Sequence, residues 1–182
     1  MGFKEAAVLA PVSFFLGVLF ICFNIDHRIL WGSTGLTEEI MSDGIQFYAT
    51  FYNAPPAIKA LLHAMIGIGL TGSLTKLLKW DPSALFFDGT SLVAYVFGIC
   101  VYITVTIPSL RTIVKPLESE TKDARMMALS VLSAGNVIMI GCMLGVLCFQ
   151  AGQEYASRSE ARELAQEEKK KKEAEASTKK DQ

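Results

Sequence analysis

Ile58-Lys-Ala-Leu-Leu-His-Ala-Met-Ile-Gly-Ile-Gly-Leu-Thr-Gly-Ser-Leu-Thr-Lys-Leu-Leu-Lys-Trp80 is the stretch whose reading decides the fold. From Ala60 to Leu78 only His63 and Lys76 can carry charge. At a helical rise of about 1.5 Å per residue, Ile58 to Leu78 covers roughly 30 Å, the hydrocarbon thickness of a bilayer. Pro55-Pro56 breaks any helix entering the segment, and Lys76, Lys79 and Trp80 form an interfacial collar at its exit. The stretch reads as a membrane-spanning helix with both ends marked.

Its small residues fall on two sides. At 100° per residue, Ala60, Ala64, Gly67, Thr71 and Thr75 share one stripe, and Gly69, Gly72 and Ser73 lie nearly opposite. In lipid the hydrophobic effect does not drive helices together, so close backbone approach and hydrogen bonds must, and small residues permit both. The pattern predicts that this helix is the packing hub of the bundle.

Outward from the hub, apolar residues make up 51% of the 182 positions and mean hydropathy is +0.36, yet the last thirty or so residues are almost devoid of them. The excess gathers in four blocks, which predict spans at about 6–23, 58–78, 91–107 and 127–149 and a charged tail over 152–182. The expected architecture is an all-α membrane protein of four transmembrane helices. Net charge is −1, with acids and bases in separate regions, so it points to no partner. Cys22, Cys100, Cys142 and Cys148 all lie inside apolar blocks. They read as small apolar residues rather than a disulfide framework or a metal site, and they disfavour tetraspanins and claudins, which need cysteines in an extracellular loop.

The first block is too long for a signal peptide and no small-x-small site follows Cys22-Phe23-Asn24, so it reads as a retained anchor, with Pro11 setting or kinking its first turns. Met1-Gly2 does not begin a myristoylation motif, because Ala6 stands where Ser or Thr is required. Residues 24–57 form an acidic loop. Within it Thr37-Glu38-Glu39 starts a helix whose Ile45, Tyr48, Phe51 and Tyr52 recur every three or four positions. This helix is expected to lie on the membrane surface as an aromatic belt or a docking face. The third span is uncharged and should end at Pro108, and the fourth carries Gly141-x-x-x-Gly145, with Asn136 off that stripe and bonded to a neighbouring helix. In the tail, Glu154 and Arg158, Glu167 and Lys171, and Glu168 and Lys172 stand four apart, acid first, which supports a solvated helix.

Four spans put both termini on one side. Basic residues near the spans are balanced, and only the tail lysines with Lys179 and Lys180 tip the count toward cytosolic ends. Membrane enzymes and transporters need charge within their spans, and the expected apolar cores offer only His63 and the snorkelling Lys59 and Lys76. No catalytic residue, cofactor site or metal site is expected, and the mixed-charge tail without stacking aromatics argues against nucleic acid. A lipid-acting enzyme built on His63 and a non-catalytic accessory subunit of a stable membrane complex are the competing classes.

Phe47-Tyr48-Ala49-Thr50-Phe51-Tyr52 leading to Pro55-Pro56, Gly67-Ile68-Gly69-Leu70-Thr71-Gly72 running to Lys76, and Ser133-Ala134-Gly135-Asn136-Val137-Ile138 ending near Gln150 follow one another in an order and spacing that resembles the fungal packaging chaperones of the endoplasmic reticulum that assist amino acid permeases. The resemblance covers Phe47 to Gln150 together with the tetraspan layout and charged tail. It implies a chaperone that shields newly made permeases from misassociation and a tail that touches the COPII vesicle coat. On this reading Gly67, Gly69, Gly72, Ser73, Asn136, Gly141 and Gly145 are the residues for packing client helices. Lys179 and Lys180, third and fourth from the carboxyl terminus, resemble a dilysine retrieval signal. The partners expected are nascent amino acid permeases, coat components and membrane lipid.

Overall fold

The computed structural model describes residues 2–32, 36–78 and 82–178. In chain order the elements are α1 (Phe3–Trp31), α2 (Glu38–Tyr52), α3 (Pro56–Leu77), α4 (Pro82–Val101), a π-helical turn (Tyr102–Thr106), α5 (Ile107–Val114) and α6 (Lys122–Thr178). No strand occurs among the described residues. Four segments are long and apolar enough to cross a bilayer: Phe3–Trp31, Pro56–Leu77, Leu85–Val114 and Lys122–Lys172. The protein is an all-α, four-span membrane protein.

Three boundaries differ from expectation, one of them the start of the third span, whose helix begins at Pro82 and not near residue 91. α1 does not stop at Phe23 but runs on to Trp31, because Asp26 continues the inward stripe Val8, Val12, Leu19, Cys22, Ile25 and Ile29 and is satisfied there by other helices. Pro108 does not end the third span. A proline ring clashes with the carbonyl four residues back and offers no N–H. The π-helical turn immediately before it shifts the hydrogen-bond register, and the chain continues as α5 to Val114. Pro11 likewise lies inside α1, with its ring buried against α3 at Gly69.

The hub of the bundle is α6, not α3. α6 packs on α1, α2, α4 and α5 and carries the fully buried Leu129, Leu132, Ser133 and Val146, whereas the backbone of α3 packs on α1 and α4 and reaches α6 and α2 only through the lysine side chains Lys76 and Lys59. The sequence contains two small-residue stripes on α3, but only the Gly69, Gly72 and Ser73 stripe is buried. A β-carbon at Gly72 would stand 2.9 Å from the backbone oxygen of Ala7, and one at Gly69 would stand 2.6 Å from Tyr95 Cζ. Pro11 denies the Ala7 carbonyl its intrahelical donor, which leaves this the carbonyl against which α3 packs.

The bundle thus has a tail end, where α3 closes and α6 leaves for the charged tail, and a loop end, where α2 docks. α2 does not lie free on a membrane surface. Ile40, Met41, Gly44 and Tyr48 are buried with Ile29 of α1, Ile113 of α5 and Leu129 of α6, while Phe47 and Phe51 pack at the edge of this cluster. Thr37 caps α2, accepting from the Ile40 N–H at 3.3 Å. α6 continues without a break through the membrane boundary into the tail, and the Glu154–Arg158 pair is closed at 2.7 Å.

Candidate functional site

A lateral groove opens at the loop end because α3 is anchored at one end only. Its carboxyl-terminal half is pinned by Gly69, Gly72 and Ser73. Tyr95 of α4, 1% exposed, donates toward the Ile66 carbonyl at 3.3 Å and marks where α3 departs. From Pro56 to Ala64 only Leu62 is even half-buried. Between this splayed half and α1, α4 and α6 lies a cavity of about 500 Å³, walled by apolar side chains including Phe15, Leu19, Ile66, Ile99 and Met139. His63 and Tyr102 face each other across it with ring centroids 6.1 Å apart. The Lys59 carbonyl accepts from His63 Nδ1 at 2.7 Å, which puts the hydrogen on Nδ1.

Two buried polar clusters hold the helices around this groove. At the loop end, Asp26 is fully buried and accepts from Asn136 Nδ2 at 2.9 Å and from the Tyr48 hydroxyl, so that one carboxylate joins α1, α2 and α6. Asn136 Nδ2 also lies 2.9 Å from the Tyr48 oxygen. Ser133, one turn earlier on α6, is buried without a hydrogen-bond partner. At the tail end, Asp88 of α4 pairs with Lys76 of α3 at 3.1 Å and accepts from Gln150 Nε2 of α6 at 2.9 Å. Gln150 also reaches Ser91 at 3.2 Å, Lys76 donates to the Gln150 side-chain oxygen, and the Gln153 amide nitrogen, turned inward, lies 3.1 Å from both Asp88 oxygens.

These clusters correct the view that the spans hold no charge beyond His63, Lys59 and Lys76. Both carboxylates lie inside apolar helices, and Lys76 does not snorkel to water but neutralises Asp88. Burial of an ion is tolerable when its lone pairs are met, and each acid here has partners on two other helices. Sequence reasoning placed Asp26 in a loop and passed over Asp88. The signal that finds Asp26 is its position on the inward stripe of α1, four residues after Cys22.

The residues expected to pack clients divide sharply. Gly69, Gly72 and Ser73 are consumed by contacts within the bundle, and Ser73 donates to the Gly69 carbonyl at 2.9 Å. Asn136 is committed to Asp26 and Tyr48, at the bottom of the groove. Gly67 on α3 and Gly141 and Gly145 on α6 all face open space. Lys179 and Lys180, with the collar residues Lys79 and Trp80, lie outside the described residues. All four cysteines are free.

Comparison with known proteins adds the family. A chaperone family model described as "ER membrane protein SH3" matches residues 1–182. The secretory component protein psh3 of Schizosaccharomyces pombe is 28% identical over 185 residues, covering 92% of this chain and 83% of that protein. No solved structure matches.

Proposed function

The chain belongs to the SHR3 chaperone family of endoplasmic reticulum membrane proteins, and from that premise we propose that it binds newly made amino acid permeases, keeps their helices from misassociating and promotes their packaging into COPII vesicles. In this reading it acts by binding without turnover, both termini are cytosolic, and the tail beyond Gln150 contacts the coat. Support for membrane clients comes from the family and from a relative named as a secretory component.

The observation that carries the client surface is the unused stripe of α3. Ala60, Ala64, Gly67 and Thr71 are all exposed, and a β-carbon at Gly67 meets nothing within 4 Å. A small-residue stripe open to lipid on the helix least held by its own bundle permits close approach by a second helix. The outward Gly141 and Gly145 on α6 offer a comparable face. The test is a crosslinking pulldown of the tagged chain from a fungal host, with newly made and mature membrane proteins analysed separately. Enrichment of permeases only while they are new supports the reading, and a constant mature set would point to a structural subunit. Gly67→Leu should reduce capture of new permeases severalfold while leaving the chaperone's own abundance unchanged. Equal loss of both would remove α3 as the client face.

A further inference from the structure

We propose that the loop-end groove holds one acyl chain of an anionic phospholipid, with the lipid phosphate at the ammonium groups of Lys59 and Lys115. Charge and the apolar lining both point to this occupant, independently of the client reading. Lys59 Nζ lies 5.6 Å from the Tyr52 ring centroid and Lys115 Nζ lies 5.5 Å from the same centroid, so both ammonium groups stand beside one aromatic ring that lines the groove. Neither forms an ion pair among the described residues, whereas their neighbour Arg111 is neutralised by Glu120 at 2.6 Å. Lys59 uses one of its three donors on the Tyr52 carbonyl at 2.7 Å, leaving two for a ligand. Tyrosine flanked by basic residues is characteristic of the headgroup level of a bilayer.

Below that mouth the groove asks for an apolar body. Most of its polar lining groups are already engaged within the protein: Tyr48 and Asn136 with Asp26, Tyr95 with α3 carbonyls and His63 Nδ1 with Lys59. The hydroxyls of Tyr52 and Tyr102 also line the groove, and that of Thr106 is buried in its wall without a partner. A single alkyl chain matches the apolar walls of this cavity of about 500 Å³ and brings no polar group to satisfy.

The test is native mass spectrometry of the full-length protein released from mild detergent, titrated with phosphatidylserine and phosphatidylcholine of identical acyl composition. One phosphatidylserine should be retained per chain in preference to phosphatidylcholine. Two basic residues at a surface site support a preference of about thirtyfold, which Lys59→Gln with Lys115→Gln should abolish. Lys59→Arg with Lys115→Arg should keep it. Leu62→Trp, which fills the groove, should reduce retention of both lipids, and Arg158→Gln with Arg162→Gln, removing the same charge from the tail, should change nothing. Equal retention of the two lipids by the unaltered protein overturns the proposal, as does preference surviving the double Gln variant. Undiminished binding by Leu62→Trp would put the lipid outside the groove and overturn it too, as would a permease helix recovered in the groove in place of lipid.

Discussion

At the tail end of the bundle a buried carboxylate, Asp88, meets the ammonium of Lys76, and at the loop end a buried carboxylate, Asp26, meets only a phenol and an amide. The difference extends to packing. At the tail end Gly72 of α3 rests on the backbone of Ala7, whereas at the loop end Gly44 of α2 rests on the methyl tips of Leu129 and Ile29. In the buried interior one end is therefore joined by charge and rigid backbone contact, and the other by neutral donors and adaptable side chains, its charged pairs Arg28–Asp43 and Lys122–Glu38 lying at the surface. The splayed half of α3 and the groove occur at the second end. The firm joint thus lies at one end of the bundle and the adaptable surface at the other.

Breaking the charged joint should have the largest effect. Lys76→Met leaves Asp88 buried with Gln150 and Ser91 but without a countercharge, and removing one partner of a buried pair costs about 3 to 5 kcal/mol in soluble proteins. Detergent-induced unfolding of the purified protein should shift strongly toward lower SDS. Replacing both members, Lys76→Met with Asp88→Leu, should recover most of the loss, because the desolvated charge goes with its partner. A double variant as unstable as the single one would mean that the joint is held by Gln150 and Gln153 rather than by the pair.

The glycines sharpen the same contrast at a smaller scale. Gly72→Ala puts a methyl 2.9 Å from backbone atoms that cannot rotate away, and overpacking of this kind costs about 1 to 3 kcal/mol. Gly44→Ala also meets a neighbour at 2.9 Å, but that neighbour is Leu129 Cδ2, the end of a flexible side chain. The first variant should lower resistance to SDS and the second should hardly change it. Equal losses would show that the loop end is as rigid as the tail end.

Asp26→Ala ranks next. It removes the acceptor for Tyr48 and Asn136 together, and hydrogen bonds between membrane helices average about 0.6 kcal/mol each, so about 1 kcal/mol is expected. The more telling measurement is hydrogen exchange in α2, which depends on Tyr48 for its tie to α1 and α6. Protection over Glu38–Tyr52 should fall while that of α3 beyond Gly69 stays unchanged.

How much of this was legible in the sequence depends on the range of the interactions. Four apolar blocks announce four spans because hydrocarbon thickness acts on local composition, and the two stripes on α3 follow from helical angle alone. Which stripe faces inward does not follow, since that is decided by Pro11 and Ala7 on another helix. The same limit hid the two acids. Asp26 and Asp88 are met by Asn136 and Gln150, far along the chain, and a carboxylate read without its partners is assigned to a loop. Pro108 misled for a local reason, because the π-helical turn that accommodates it has no residue signature. Asn136 was legible as an interhelical donor, since an amide in a span must find a partner somewhere, but its acceptor was not.

The smallest effect tests the loop end from outside the membrane. Glu120, in the turn between α5 and α6, accepts from the Leu117 backbone N–H at 2.7 Å, from Thr112 at 3.1 Å and from Arg111 at 2.6 Å. The Leu117 N–H foremost, with Thr112 and Arg111, holds its carboxyl below the usual carboxylate range. Glu38 is lowered in the same sense by Lys122, which ties the start of α2 to the start of α6. A carboxyl whose value is depressed on folding stabilises the fold above its unfolded value, near 4.5, and loses that contribution as pH falls through the lower folded value. Acidification from pH 7 to below 4 should therefore loosen residues 115–122, read as faster hydrogen exchange after correction for the intrinsic rate. Glu38 is open to water and Glu120 half-buried beside a partly exposed arginine, so the change should be slight and should shrink further in high salt. Glu120→Gln keeps one acceptor oxygen but cannot titrate, and should flatten the response of the turn while leaving that of Glu38 in place. If acid loosens the turn equally in the variant, the loop end is secured from within by Asp26 and its partners, and the surface pairs only decorate it.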